Sequence, residues 1–460
     1  MTIPVALLPL ACLALLHPAL AAPTPIFLPE DRWVALGDSI TQDGTYTKYV
    51  ELFHVLREPQ KNLLLVNAGI SGDTAWGGLS RFDWDVAPSD APKPTVATVM
   101  FGMNDCQRQL YGPDTVDDEA TRAQRQAAIN SYAENLGKLV DRLLAAGIRP
   151  IVLTTSPYDD TSLADMPVQP GCNTALALCA DRARAIAAER GVAVVDLHGP
   201  LTALMHRLQV IDPQARPFGG DRVHPGPEGH LAMAYYLLRA QHPVGPFAQV
   251  HLRTAPLGLR FARGARVDAL SVSPDGDLSF DYTAESLPFV IPMEAQPGRD
   301  WTPLFSELNR EELRFTGLPA ERYRLTIDDQ PIGDFGRAQL EQGIDLAPLA
   351  TPQRAQAEAV LLVLERRWEQ IAKLRRIAQV EYWQANSQPR PILLETMEPV
   401  LQEWQSHLRA QPPSWESGHP DEYRQWKPME KEIAARAETL LHQARAAAQP
   451  KRRHIILQPL

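Results

Sequence analysis

Short and almost uninterrupted apolar runs recur through the first half of the chain, separated by helical patterns. The runs are rich in Val, Leu and Ile and do not alternate with polar residues, which is typical of strands covered on both faces, as in a parallel sheet. Five such strands are predicted, at residues 33–36, 63–67, 95–101, 149–155 and 192–197. Helical segments such as residues 122–147, which end on a glycine, lie between them. Five repeats of strand and helix predict a doubly wound α/β domain over residues 28–245.

The pattern changes after about residue 245. Runs of β-branched and aromatic residues, separated by turn signals, predict a small antiparallel β unit over residues 248–345. Long amphipathic segments follow and predict a helical hairpin region over residues 352–448. We interpret the last ten residues, KRRHIILQPL, as a solvated end, with a docking segment as the alternative.

The beginning of the chain is apolar and carries no Lys, Arg, Asp or Glu before Glu30. Small residues follow a proline at its end, so residues 1–22 are interpreted as a signal peptide cut near Ala21 or Ala22. The chain is then exported, to a periplasmic or extracellular location. A membrane anchor is the alternative, but prolines interrupt the run and it is short for a span. We therefore expect no stable membrane anchor.

Composition and charge restrict the classes of molecule that the protein is expected to bind. A chain of 460 residues is expected to form two or three packing units. Its net charge of -10 argues against binding nucleic acid, which requires a basic face to displace counterions. The expected partner is a small-molecule or glycan substrate.

Three cysteines remain once the signal peptide is removed: Cys106, Cys172 and Cys179. In an oxidising compartment, Cys172 and Cys179 are close enough in sequence to close a small loop. A bridge between Cys106 and Cys172 is the alternative. Their spacings, with no histidine partners nearby, do not resemble a zinc site.

Polar residues follow several predicted strands, where parallel α/β sheets bind their ligands. Ser39 follows the first strand, a glycine-rich loop with Gly72 follows the second, and Asn104 follows the third. Asp221 and His224 lie on a long loop after the fifth strand. We therefore expect these side chains to meet at one edge of the sheet.

Together these residues supply what acyl transfer requires. A serine hydroxyl becomes a good nucleophile when an imidazole accepts its proton. We therefore expect Ser39 to be the nucleophile and His224 to be the base. Asp221 is placed to hold the other nitrogen of the imidazole. The amides of Ser39 and Gly72 and the side-chain amide of Asn104 would form an oxyanion hole. This mechanism needs no metal and no cofactor.

Four motifs occur in a recognisable order: GDSI at 37–40, SGDT at 71–74, GMND at 102–105 and DRVH at 221–224. They resemble the four blocks of the SGNH (GDSL-type) hydrolase superfamily. The flanking sequence resembles an exported bacterial branch with a C-terminal β and helical extension. The resemblance implies a flavodoxin-like sheet and the same assignments of nucleophile, base, acid and oxyanion donors.

The resulting hypothesis is a serine esterase that hydrolyses short-chain esters, above all acetyl esters on carbohydrate. A lipase, lysophospholipase or thioesterase is the enzymatic alternative. A non-catalytic carbohydrate-binding or scaffold protein is the other. Trp76 and Tyr111, in the loops after the second and third strands, are candidates for lining the substrate pocket, and core packing is the competing interpretation for both.

Overall fold

The computed structural model describes residues 26–163 and 166–460 of the chain. The predicted signal peptide, residues 1–22, lies outside the described residues. The described part contains an α/β domain, a β domain of two sheets and a helical region. None of the helices in these described ranges is long and apolar enough to cross a membrane.

The α/β domain is built on a five-stranded sheet in the order β2-β1-β3-β4-β5. All its neighbouring strands pair in parallel. The flavodoxin-like doubly wound prediction is confirmed. Every residue of the third strand is buried, as its continuous apolar sequence predicts. The strands are β1 (Arg32–Gly37), β2 (Leu64–Gly69), β3 (Val96–Met100), β4 (Arg149–Leu153) and β5 (Ala193–Val195).

Seven helices accompany this sheet, and their ends follow local sequence signals. The longest, α4, starts where the Asp118 side chain accepts a hydrogen bond from the Thr121 amide. The fifth, α5, ends at Gly191, whose φ of 62° favours glycine. The helices are α1 (Ser39–Asp43), α2 (Thr45–Arg57), α3 (Ala75–Ser80), α4 (Glu119–Ala145), α5 (Cys172–Arg190), α6 (His198–Ile211) and α7 (Pro227–Arg239).

The β domain contains two sheets, in the orders β13-β10-β6-β7 and β12-β11-β14-β9-β8. Their buried side chains form one apolar core. Strand pairing is antiparallel except between β6 and β10, which are parallel, so the antiparallel prediction is incomplete. The strands are β6 (Ala248–Thr254), β7 (Leu257–Arg263), β8 (Ala265–Val272), β9 (Leu278–Ala284), β10 (Glu311–Thr316), β11 (Arg322–Ile327), β12 (Gln330–Gly336), β13 (Ile344–Asp345) and β14 (Arg453–Pro459), with short helices α8 (Leu304–Leu308) and α9 (Arg337–Gln342).

The end of the chain is a strand inside the second sheet of the β domain. Strand β14 pairs with β11 on one side and with β9 on the other. Ile455 and Leu457 are fully buried in the core between the sheets. The interpretation of this tail as a solvated end is therefore wrong, because alternate apolar residues in HIILQP face the core.

The helical region contains four helices: α10 (Pro352–Ala385), α11 (Leu394–Arg409), α12 (His419–Trp426) and α13 (Glu430–Ala447). Helices α10 and α13 pack together, and both contact the α/β domain. Helices α11 and α12 were not foreseen as separate elements. They enclose a second small apolar core against the end of α10.

The helical region is attached to the α/β domain by buried charges. Arg367 of α10 forms an ion pair with Glu51 of α2 at 3.0 Å, and both side chains are almost fully buried. The same guanidinium donates to the carbonyl oxygens of Leu65 in β2 and Ala437 in α13. One side chain thus joins a strand, a helix of the α/β domain and the last helix.

In the described part of the chain, Cys106, Cys172 and Cys179 are free and buried. Cys172 and Cys179 lie on α5 about two turns apart, or roughly 10 Å along the helix axis. A disulfide requires Cα atoms within about 7 Å of each other, so this geometry excludes the predicted Cys172–Cys179 bridge. Cys106 is likewise free, and its thiol donates a hydrogen bond to the Met103 carbonyl.

Candidate active site

Ser39 lies at the carboxyl end of β1, as the first residue of α1. Asp38 caps this short helix by accepting a hydrogen bond from the Ile40 amide at 3.0 Å. The residue before Asp38 is glycine because a larger residue would not fit: a Cβ at Gly37 would lie 2.3 Å from Thr41 Oγ1. The tight passage from strand to helix places the serine at the sheet edge.

His224 and Asp221 come from the loop that precedes α7. His224 Nε2 lies 2.7 Å from Ser39 Oγ, and His224 Nδ1 lies 2.5 Å from Asp221 Oδ2. The other carboxylate oxygen of Asp221 accepts hydrogen bonds from the amides of Val223 and His224. These bonds fix the carboxylate, which in turn fixes the orientation of the ring. The structure thus brings together the serine, histidine and aspartate that the sequence singled out.

The ionisation of this pair follows from its contacts. Burial opposes the charge on Asp221, but hydrogen bonds from the side chain and backbone of His224 outweigh it and lower the pKa to about 2. The hydrogen bond to Asp221 raises the pKa of His224 above its ordinary value, against the effect of burial. The carboxylate therefore stays charged at neutral pH and strengthens the imidazole as a base.

Gly72 and Asn104 face the same cavity as Ser39. Gly72 has a φ of 77°, a conformation that glycine adopts readily. Asn104 Nδ2 donates to the Asp73 carbonyl at 2.8 Å, and Asn104 Oδ1 accepts from Arg108 Nη1 at 3.1 Å. These two contacts define which end of the side-chain amide carries the N–H groups.

Two buried carboxyl groups support the loops around Ser39. Asp105 accepts hydrogen bonds from the amides of Ala75 and Gly102, which join the loops after β2 and β3. Burial raises the pKa of Asp105 to about 7 and that of Asp38 to about 6. Both carboxyl groups accept hydrogen bonds from backbone amides and so stabilise the loops.

The cavity around Ser39 has a volume of about 660 Å³. Most of the residues that line it are polar or charged, and they come from two parts of the molecule. The α/β domain supplies Ser39, Gln42, Asp43, Lys48, Ser71, Gly72, Asn104, Arg108, Asp221 and His224, and the helical region supplies Ala372, Arg375, Arg376 and Trp415. The helical region therefore forms part of the active-site wall.

Sequence reasoning missed Arg108 and the lining residues of the helical region. Arg108 is only four residues from Asn104, so a search for cations near the third motif would have found it. The contribution of Arg376 and Trp415 depends on tertiary packing between distant segments, for which the sequence gives no local signal.

The two aromatic pocket candidates lie elsewhere. Tyr111 is buried in the core of the α/β domain, where the Arg125 guanidinium packs over its ring at 4.5 Å. Trp76 is 59% exposed and is not among the residues that line the cavity. The pocket prediction therefore does not fit the position of either residue, and for Tyr111 the competing interpretation as core is correct.

Three further observations define the chemistry of the site. His230 is buried and stacks on Tyr46 at 6.1 Å between ring centroids. Burial lowers its pKa to about 4. Within residues 26–163 and 166–460, no group of three or more His, Cys, Asp or Glu side chains is arranged to hold a metal ion.

Comparison with known proteins agrees with this geometry. Residues 35–232 match the family described as GDSL-like Lipase/Acylhydrolase. An acetylxylan esterase from Geobacillus stearothermophilus is 26% identical over 224 residues, covering 45% of this chain and 93% of that relative. An uncharacterized lipoprotein of Bacillus subtilis (strain 168) is 31% identical over 130 residues, covering 27% of this chain; the chain spans about half of that relative, 48% of its length.

One solved structure is similar over nearly the whole chain. It is a gut microbial diltiazem-metabolizing enzyme, 28% identical in sequence, with a TM-score of 0.84 over 95% of this chain and 100% of that one. The likeness therefore includes the β domain and the helical region. The resemblance to SGNH (GDSL-type) hydrolases is confirmed. Residues 35–232 of the α/β domain therefore form a GDSL-like lipase/acylhydrolase domain.

Proposed function

We propose that the protein is a serine esterase in which Ser39, His224 and Asp221 form the catalytic triad. The observation that supports this most directly is the chain of two contacts from Ser39 Oγ to His224 Nε2 and from His224 Nδ1 to Asp221 Oδ2. A histidine that only fills space in a protein core does not require contacts to both a serine hydroxyl and a carboxylate. A base aligned by a carboxylate needs each of them.

In the proposed reaction, His224 takes the Ser39 proton as the hydroxyl oxygen attacks the ester carbonyl. The tetrahedral intermediate collapses when His224 returns the proton to the departing alcohol, leaving an acyl-enzyme. Water attacks that ester with His224 again as the base, and the acid and Ser39 are released. The amides of Ser39, Gly72 and Asn104 stabilise the oxyanion in both steps.

We propose short acyl groups, chiefly acetyl, on a carbohydrate alcohol as the substrate. Most residues that line the cavity are polar or charged and can bond the hydroxyl groups of a sugar. The similarity to an acetylxylan esterase gives independent support for an acetylated glycan. A lipase, lysophospholipase or thioesterase is the competing proposal.

Export is the second part of the proposal. Residues 1–22 have the apolar centre and small terminal residues of a signal peptide. A relative described as a lipoprotein gives further support to a site of action outside the cytosol. We propose a periplasmic or extracellular enzyme that acts on a small-molecule or glycan ester, with neither a nucleic-acid partner nor a stable membrane anchor.

A ladder of p-nitrophenyl esters from acetate to palmitate, followed by acetate release from acetylated polysaccharides, tests the activity and the substrate class. We expect kcat/KM to fall with chain length, because most residues that line the cavity are polar or charged. A rate that rises with chain length would support the lipase. The Ser39→Ala variant is the control: it should remain folded by circular dichroism and lose turnover. Unchanged turnover in that variant would contradict Ser39 as the nucleophile, and no turnover by the wild-type protein on any of these esters would favour the non-catalytic alternative.

A further inference from the structure

Trp415 is the one Trp, Tyr or Phe among the residues that line the active-site cavity in the described chain. It belongs to the loop between α11 and α12, in the helical region. Its side chain is 60% exposed, an unusual position for the largest apolar side chain. An exposed tryptophan beside a nucleophile is placed to contact the part of the substrate that does not react.

The indole ring is held in place from behind. It packs nearly at right angles against Trp383, with ring centroids 5.7 Å apart, and against His419, with centroids 5.0 Å apart. His419 is buried, and burial lowers its pKa to about 4, so this neighbour is uncharged at neutral pH. The Trp415 ring is therefore oriented before any ligand binds, which reduces the entropy lost on binding.

The loop that carries Trp415 is also ordered by its own hydrogen bonds. The Ser414 amide donates to Ser417 Oγ at 2.9 Å, and the Ser417 amide donates to the Ser414 carbonyl at 3.1 Å. The His419 amide donates to the Glu416 carbonyl at 2.9 Å. These bonds make a compact turn with the tryptophan at its centre.

The surroundings of Trp415 indicate the chemical class of the ligand. An apolar acyl chain would need several apolar neighbours, but most other lining residues are polar or charged. A pyranose ring has one face of C–H bonds and an edge of hydroxyl groups. The electron-rich face of an indole attracts the C–H bonds of the sugar ring. Polar side chains such as Gln42 and Lys48 can form hydrogen bonds with its hydroxyl groups.

We propose that Trp415 forms a stacking platform for the sugar ring of the ester substrate. Resting on the proposed function, this assignment puts the acyl group at Ser39 and the sugar alcohol against the helical region. It also gives the C-terminal extension a role in choosing the alcohol. Trp415 acts in binding and takes no part in the proton transfers.

The test compares two acetyl esters in the full-length protein: a monoacetylated methyl β-xyloside, which has a sugar ring, and ethyl acetate, which has none. For Trp415→Ala we expect KM for the sugar ester to rise about tenfold, with kcat unchanged, because ring stacking is lost. Kinetics on ethyl acetate should not change. Trp415→Phe should recover part of the loss, since a smaller ring remains.

Trp76→Ala is the matched control, because Trp76 is equally exposed but does not line the cavity. It should leave both esters unaffected. The platform proposal would be overturned if Trp415→Ala raised KM equally for both esters. It would also be overturned if KM for the sugar ester did not change. A wild-type enzyme that hydrolyses ethyl acetate but not the sugar ester would overturn it as well.

Failure of the proposed function has a different signature. If the wild-type protein hydrolyses neither ester, the esterase proposal fails. The proposal that Trp415 stacks on a sugar ring is then tested by sugar binding alone. Unacetylated xylo-oligosaccharide is then titrated into Ser39→Ala and Ser39→Ala/Trp415→Ala by calorimetry. Binding by the first variant and at least tenfold weaker binding by the second supports the platform; no binding by the first overturns it.

Discussion

Tyr382, on the long helix α10, donates a hydrogen bond to Asp73 Oδ1 at 3.0 Å. Asp73 directly follows Gly72, and its carbonyl oxygen accepts the hydrogen bond that orients Asn104. The other carboxylate oxygen of Asp73 is held by Arg81, which is fully buried. The helical region therefore reaches the loop that supplies Gly72 and that orients Asn104 through the Asp73 carbonyl.

Tyr382→Phe removes this hydrogen bond while keeping the ring. Loss of one such bond costs about 0.5–1.5 kcal/mol. We expect kcat for p-nitrophenyl acetate to fall about 2- to 10-fold, with KM nearly unchanged, because the donors shift relative to the oxyanion. Tyr423→Phe is the matched control, since that hydroxyl bonds Glu381 within the helical region. Equal effects of the two variants on kcat would contradict the prediction.

Asn104→Ala removes a whole oxyanion donor. The expected cost is about 3 kcal/mol in the barrier, or 10² to 10³ in kcat, with little change in KM. Steady-state kinetics with p-nitrophenyl acetate measure both parameters. Circular dichroism of the variant establishes that it is folded. If KM rises while kcat stays at the wild-type value, Asn104 binds the ground state and is not an oxyanion donor.

The pH dependence of kcat/KM reports the ionisation of His224 in the free enzyme. The imidazole must be neutral to accept the Ser39 proton, and its pKa lies above the ordinary 6.5 because of the bond to Asp221. Activity should therefore rise with pH and reach half its maximum above pH 6.5. Asp221→Asn should move this midpoint to lower pH and reduce kcat by about 10³ to 10⁴.

Asp105 titrates in the same range, because burial raises its pKa to about 7. Asp105→Asn therefore serves to assign the midpoint. If the midpoint belongs to His224, Asp105→Asn retains it even where the rate falls. A midpoint that disappears in Asp105→Asn and persists in Asp221→Asn would contradict the assignment.

Arg367→Ala leaves the carboxylate of Glu51 buried and without its ion pair. Breaking a buried pair from one side costs about 3–5 kcal/mol. Urea unfolding should show a loss of this size. The double variant Arg367→Met/Glu51→Leu should recover most of it, because neither charge remains. A single variant as stable as the wild type would indicate that the pair contributes nothing.

The α/β domain could be predicted from sequence because its signals are local. Each buried strand is a continuous apolar run, and each motif directly follows its strand or lies on the final loop. Since parallel strands end at one edge, residues as distant as Ser39 and His224 meet without further information. Helix ends in the structure also follow local signals, as at Asp118 and Gly191.

The remaining features depend on packing between distant segments. Trp415 reaches the cavity only because α10 lies across the α/β domain, and no periodicity records that placement. Tyr111 is buried in the core, where the Arg125 guanidinium packs over its ring. The expectation of export favoured a disulfide bridge, but Cys172 and Cys179 lie about two turns apart on one helix.

The central position of β14 has a consequence for biosynthesis. Strands β9 and β11 flank it, yet they leave the ribosome long before residues 453–459 do. Until then the nascent β domain presents two open strand edges and an incomplete core, the state most exposed to wrong pairing. Folding of this domain is therefore completed late, and the final segment of the chain closes the sheet.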